Sequence, residues 1–264
     1  MRNALIASIV LLAAPFMVAA AEPAAGAAGA EAAESAADWH AWKAGNEVSN
    51  ITSLQRGARN FFGYCAGCHS MKYLRYSRMA ADLHISDAQL KADLLPPGAN
   101  PADYITTSLK AEDAIAWFGK VPPDLSLIAR SRGVDHVYQF LKAFYVDPSR
   151  PTRTDNLVLP AAAMPAVLSD LEGVKAAIYR SHDVVEGGKT RTEKVFDHFE
   201  TVSPGQLAPA QFDAFLRDTV NFLDYAGEPA QVDRRSIGVW VVLFLITFTW
   251  FAMLLKKEYW KDVH

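Results

Sequence analysis

Nineteen consecutive residues, Ile237 to Leu255, carry no charge. As a helix rising 1.5 Å per residue this run is about 28 Å long, close to the hydrocarbon thickness of a bilayer. Helices of water-soluble cores keep a polar stripe, so the run is expected to cross a membrane rather than to join a core. Arg234 and Arg235 precede it, Lys256, Lys257 and Lys261 follow it, and Tyr259 and Trp260 stand where interfacial aromatics are expected. The flanking positive charges are nearly balanced and do not orient the span by themselves.

The other end of the chain breaks that tie. Arg2, an apolar run from Ala4 to Ala14, Pro15 and the small residues Val18 to Ala21 read as a secretory signal over residues 1–21. Arg2 is the only basic residue before Lys43, which suits a bacterial export signal better than an Arg-rich mitochondrial one. Export with a single stop-transfer helix places residues 22–236 outside and residues 256–264 in the cytoplasm. The expected location is the bacterial inner (plasma) membrane, single-pass, with the folded domain on the periplasmic side.

Between the ends, 12 of the 19 residues from Ala19 to Ala37 are Ala. Residues 22–37 offer no core and read as a linker. The folded domain is expected over 38–227, a juxtamembrane hinge over 228–236 and the anchor over 237–255. A first helix begins near Thr52 or Ser53, either of which could cap it. A last helix covers Pro209 to Tyr225, with Phe212, Phe215, Leu216, Val220 and Leu223 on one face. Helical patterns also appear at Val134–Phe144 and Ser169–Arg180, and Val184 to Thr190 resembles a short hairpin about Gly187-Gly188. A net charge of -3 and the absence of any basic run leave no footprint for nucleic acid.

Cys65-Ala66-Gly67-Cys68-His69 is the strongest local signal for chemistry. At a helix end this spacing lets two thiols form thioethers with the vinyl groups of one haem, and the next residue offers its imidazole to the iron. A thioredoxin-like redox pair and half of a zinc site are the competing readings. These are the chain's only two cysteines, which excludes a four-Cys zinc site. The adjacent His and the lack of a clear preceding strand disfavour a thioredoxin fold. The expected cofactor is therefore one covalently bound haem c, with Cys65, Cys68 and His69 holding it.

The second axial ligand is a Met or a His. Met71 and Met79 follow His69 too closely to reach the opposite face. Met164 lies 95 residues after His69, among small residues and before Pro165. It is the first candidate, with His136 and His182 next.

The residues around the motif resemble known families. Gly57, Phe61 and Cys65 to His69 resemble the opening helix of class I cytochromes c, in which the first and last helices cross near a Gly and an aromatic residue. More of the chain resembles the cytochrome c1 family in its bacterial form. The pieces that carry the resemblance are Cys65 to Tyr73, Pro122-Pro123-Asp124-Leu125-Ser126, Arg130 to Gly133, Met164-Pro165, Asn221-Phe222-Leu223 and Glu228-Pro229, leading into one C-terminal span. Thr152 to Asn156 and Ala166 depart from the family pattern.

The resemblance implies a mainly α fold: a class I cytochrome c-like haem domain with loop insertions and one C-terminal transmembrane helix. It implies Met164 as distal ligand, Pro122 and Pro123 lining the haem pocket, and Arg132 or, second, Arg130 pairing with a propionate. It further implies a subunit of quinol–cytochrome c reductase beside cytochrome b. Such a subunit takes an electron from the Rieske iron–sulfur protein and passes it to a soluble or tethered cytochrome c. It is not an enzyme as an isolated chain. The alternatives are an anchored monohaem subunit of a terminal oxidase or nitric oxide reductase, a haem enzyme or gas sensor, and a structural anchor.

Overall fold

A computed structural model describes residues 38–186 and 189–262; the signal, the linker and the Gly187-Gly188 turn lie outside the described residues. In chain order the helices are α1 (Ile51–Tyr64), α2 (Tyr76–Asp82), α3 (Asp87–Gln89), α4 (Ala111–Phe118), α5 (Ile128–Arg132), α6 (Val134–Lys142), α7 (Ser169–Glu172), α8 (Pro209–Gly227) and α9 (Gln231–Tyr259). Three antiparallel strand pairs complete it: β1 (Met71–Arg75) with β2 (Tyr104–Ile105), β3 (Phe144–Val146) with β4 (Thr154–Asn156), and β5 (Gly173–Glu186) with β6 (Lys189–Pro204).

The centre of the fold is the crossing of α1 and α8. It is close because Gly57 has no side chain: a Cβ there would stand 2.0 Å from the Asp218 carbonyl oxygen and 2.7 Å from the Phe222 Cβ. Phe61 and Phe222 pack beside it, both fully buried, with ring centroids 5.8 Å apart. A polar cluster seals the same crossing. The Asp218 carboxylate accepts from Ser53 Oγ at 2.7 Å and from Arg56 at 2.5 and 2.9 Å. Buried polar groups satisfied in this way fix one register of the two helices. The expected Gly and aromatic crossing is present.

Four expected boundaries move. The cap of α1 is Asn50, whose side chain accepts from the Ser53 N–H, while the Ser53 hydroxyl is used on Asp218. The helical pattern from Val134 stops at Lys142, and Phe144 opens β3. The pattern at Ser169–Arg180 is helical only to Glu172. Gly173, at φ 98, turns the chain, and the remainder is β5. Val174, Ile178 and Tyr179 pair across to Ser203, His198 and Phe196, so cross-strand packing overrides the 3.6 period. The expected short hairpin is thus the tip of a ribbon with strands of 14 and 16 residues.

Helix α9 extends beyond the uncharged run at both ends, and residues 231–236 of the expected hinge are helical. Its apolar window is not buried against the rest of the chain. The chain is therefore mainly α, with a C-terminal apolar helix of transmembrane length.

Candidate functional site

Cys65 is the residue that ends α1, and the chain then tightens into a turn. The Cys68 N–H and the His69 N–H both donate to the Cys65 carbonyl, at 3.0 and 2.9 Å. Both thiols are free. Burial, and then Cys68, push the Cys65 thiol up to about 12. A thiol held protonated is a poor redox nucleophile, which disfavours a thioredoxin-type pair. Among the described residues no group of three or more His, Cys, Asp or Glu side chains is placed to hold a metal ion, so nothing completes a zinc site.

His69 is held from its far side. Its Nδ1 lies 2.8 Å from the Pro123 carbonyl oxygen. A carbonyl only accepts, so Nδ1 carries the proton and Nε2 keeps its lone pair. Burial pulls the His69 pKa down, against the opposing influence of Pro123 and Asp124. The result is a neutral imidazole oriented by a backbone acceptor, the usual arrangement of a metal-ligating His. The paired thiols and this donor fit a haem c at Cys65, Cys68 and His69.

The placement of Pro123 has its own cause. Asp124 accepts from the Lys72 N–H at 2.9 Å and from the Ser126 N–H at 2.9 Å. Ser126, fully buried, accepts from the Tyr73 N–H at 3.1 Å, and the Leu125 N–H donates to the Ser70 carbonyl at 2.8 Å. Thr107 fastens the other side: its hydroxyl donates to the Gly67 carbonyl at 2.7 Å and its N–H donates to Ser70 Oγ at 2.9 Å. Sequence reasoning missed Asp124, Ser126 and Thr107 as supports. The Asp-x-Ser spacing after two prolines was the available signal, because Asp favours a side-chain turn onto the second following N–H.

Pro122 is half-buried and Pro123 is exposed. Met164 is half-buried and shares a small cavity with Leu141, Phe144, Ala166 and Glu172. Met71 and Met79 are fully buried in the core. The loop before Met164 is held by Asp155. Its carboxylate accepts from Arg150 at 2.7 and 2.9 Å and from the Ala161 N–H at 2.7 Å. Ala161 sits at φ 63, a left-handed conformation that is costly for a residue with a Cβ. Apolar side chains between the motif and Met164 stay open to solvent, among them Trp117, Val121, Leu127 and Leu159.

The two arginines differ. A Cβ on Gly227 would lie 3.2 Å from the Arg130 side chain, and Arg130 helps to lower the pKa of Glu228 after Arg234 has done so. Arg130 is thus committed to the end of α8. Arg132 is exposed and forms no hydrogen bond or ion pair among the described residues.

Comparison with known proteins adds an independent line. Residues 96–263 match the Cytochrome C1 family. The chain is 47% identical to cytochrome c1 of Allochromatium vinosum, over 83% of this chain and 87% of that one. It is 38% identical to the ammonia monooxygenase gamma subunit of Nitrosomonas europaea, over 80% and 84% of the two chains. It is 28% identical to cytochrome c1 of Rhodospirillum rubrum, over 80% and 81%.

Proposed function

This chain belongs to the cytochrome c1 family, and from that premise we propose that it carries single electrons as the haem subunit of a quinol–cytochrome c reductase. Its donor is a Rieske iron–sulfur protein, its acceptor a soluble or tethered cytochrome c, and its neighbour in the membrane cytochrome b. The observation that carries the reading is the His69 imidazole, neutral and aimed by the Pro123 carbonyl at 2.8 Å, in the turn that also holds both cysteines.

Cys65 and Cys68 would hold one haem c by thioethers, and His69 and Met164 would ligate its iron. A haem so bound supplies a one-electron couple whose potential the thioether ligand raises. The residues around it do the rest. Asp124, Ser126 and Thr107 keep the His69 turn rigid, so little reorganises when charge arrives. Pro122 and Pro123 form part of the pocket wall. Arg132, exposed at the end of α5, would pair with a propionate, and Arg130 is the second choice. A thioether and an imidazole leave no easy open position on iron, which suits relay rather than substrate chemistry.

The domain of residues 38–227 stands on the periplasmic side of a bacterial inner membrane, with α9 as its single span and residues 256–264 in the cytoplasm. The Nitrosomonas relative sets the rival assembly, a monooxygenase. Purification from native membrane distinguishes them. A haem-stained chain accompanied by cytochrome b and an iron–sulfur protein supports the proposal; a chain accompanied by monooxygenase subunits overturns it.

A further inference from the structure

Where the folded domain meets the foot of α9 there is a cavity of about 540 Å³ that the haem site does not use. Its polar walls come from three places, with Val48, Val134 and Val232 between them. Asn46, Glu47 and Ser49 come from the segment before α1, Asp224 from α8, and Gln231 and Arg235 from the first turns of α9. A water occupies about 30 Å³ of liquid, so the cavity has room for a polar group far larger than a few waters.

Its depth is set by the span. Arg235 precedes Ile237 by two residues, about 3 Å along a helix, which is headgroup level if Ile237 begins the hydrocarbon. Its charges are of both signs. Arg235 forms no ion pair within 4 Å among the described residues and acts on Glu228 only at longer range, whereas its neighbour Arg234 is held by Glu228. Glu47 and Asp224 face no cation within that distance either; they accept only from the Ser49 hydroxyl and the Asn46 amide, both at 2.8 Å. Gln231, 8% exposed, has a side-chain carbonyl oxygen enclosed without any donor. A buried acceptor left in this state costs free energy until a donor reaches it.

A ligand for these walls brings an anionic group for Arg235 and an N–H-bearing cation for Glu47, Asp224 and Gln231, on a molecule anchored in the bilayer. We propose that this cavity binds the headgroup of phosphatidylethanolamine in the leaflet facing the folded domain. The phosphate meets Arg235, and the ammonium meets the carboxylates and the Gln231 carbonyl. A headgroup of net negative charge meets Glu47 and Asp224 unfavourably, and a quaternary ammonium has no N–H to give. The proposal rests on α9 spanning the membrane and is independent of the haem.

The test uses the full chain extracted in mild detergent, stripped of lipid and titrated with phosphatidylethanolamine, phosphatidylcholine or phosphatidylglycerol, with bound lipid read by native mass spectrometry. Phosphatidylethanolamine binds at one per chain, and the other two bind at least about tenfold more weakly. Arg235→Gln and Asp224→Asn each weaken it about tenfold, while Arg234→Gln leaves it unchanged. Ser49→Trp, at an exposed position on the rim, obstructs the cavity without touching the core and abolishes binding. Equal binding of phosphatidylglycerol, indifference to Arg235→Gln or Ser49→Trp, or a photo-crosslinker at position 49 that captures a polypeptide in native membrane in place of lipid each overturns the proposal. Release of the chain from membranes by alkaline carbonate removes the span, and the proposal with it.

Discussion

The two sides of the proposed haem cleft are built in different ways. On the cysteine side, five consecutive residues carry the thiols and the imidazole, and they follow directly from a helix whose crossing with α8 leaves no room for a side chain at Gly57. On the methionine side, Met164 sits in a loop between short elements. That loop is tethered by one buried carboxylate and passes through a left-handed Ala161. The proposed covalent attachment falls on the rigid side. The proposed ligand Met164 falls where a few hydrogen bonds determine its position.

The largest expected effect tests the rigid side directly. Replacing Cys65 and Cys68 together by Ala abolishes haem staining of the chain on a denaturing gel; equal staining would remove the haem assignment. Next is the crossing that supports it. Gly57→Val drives a side chain into the Asp218 carbonyl and costs at least about 3 kcal/mol, seen as a large drop in the thermal unfolding midpoint. A midpoint within a degree or two of the parent would mean that the two helices separate freely.

The methionine side then gives the contrast. Met164→Leu keeps the haem attached, lowers its potential and admits carbon monoxide, each drop of about 59 mV costing tenfold in a one-electron equilibrium. An unchanged potential with carbon monoxide still excluded shows that another residue, with His136 or His182 first, is the ligand. Asp155→Ala tests the tether and costs about 1–2 kcal/mol, mainly by leaving the Ala161 N–H without its acceptor, since Arg150 keeps Asp147 at 3.7 Å. Its distinguishing readout is partial carbon monoxide binding with full haem attachment.

The smallest effect lies away from both sides. Asp135 accepts from the Ala44 N–H at 2.9 Å and pairs with Lys43 at 3.1 Å. Burial pushes its carboxyl up, but Ala44 and Lys43 outweigh that and hold it below the usual carboxylate range. A folded-state value below the unfolded one stabilises the fold above the ordinary carboxylate pKa, and this contribution is lost as pH falls through the folded value. The pair is substantially exposed, so Asp135→Asn removes less than about 1 kcal/mol near neutral pH and nothing at strongly acidic pH. A loss that persists undiminished in acid would contradict this.

The same contrast explains what was legible in the sequence. The motif, the crossing glycine and the apolar span are local patterns, with periods or spacings that one stretch of chain displays by itself. The long ribbon of β5 and β6 is not. Ala176, Ala177 and Ile178 suit a helix as well as a strand, and only their pairing with Glu200, Phe199 and His198 decides the matter. The local turn of Asp124 onto Ser126 was signalled by its spacing, but the longer reach of Asp124, Ser126 and Thr107 was invisible for a related reason. Each acts on backbone groups roughly 40 to 50 positions away, and no spacing rule encodes which carbonyl or N–H will be there.

The Gly57 contact also bears on the order of events during synthesis. Its partners, Asp218 and Phe222, lie more than 160 residues further along the chain. A contact of such long sequence separation forms late, because the intervening chain must first be made and its loop closed. Until α8 emerges, α1 lacks the partner that Gly57 admits, and the core behind the turn that carries both cysteines is incomplete. The architecture therefore leaves an interval in which the thiols are present before the core shuts behind them.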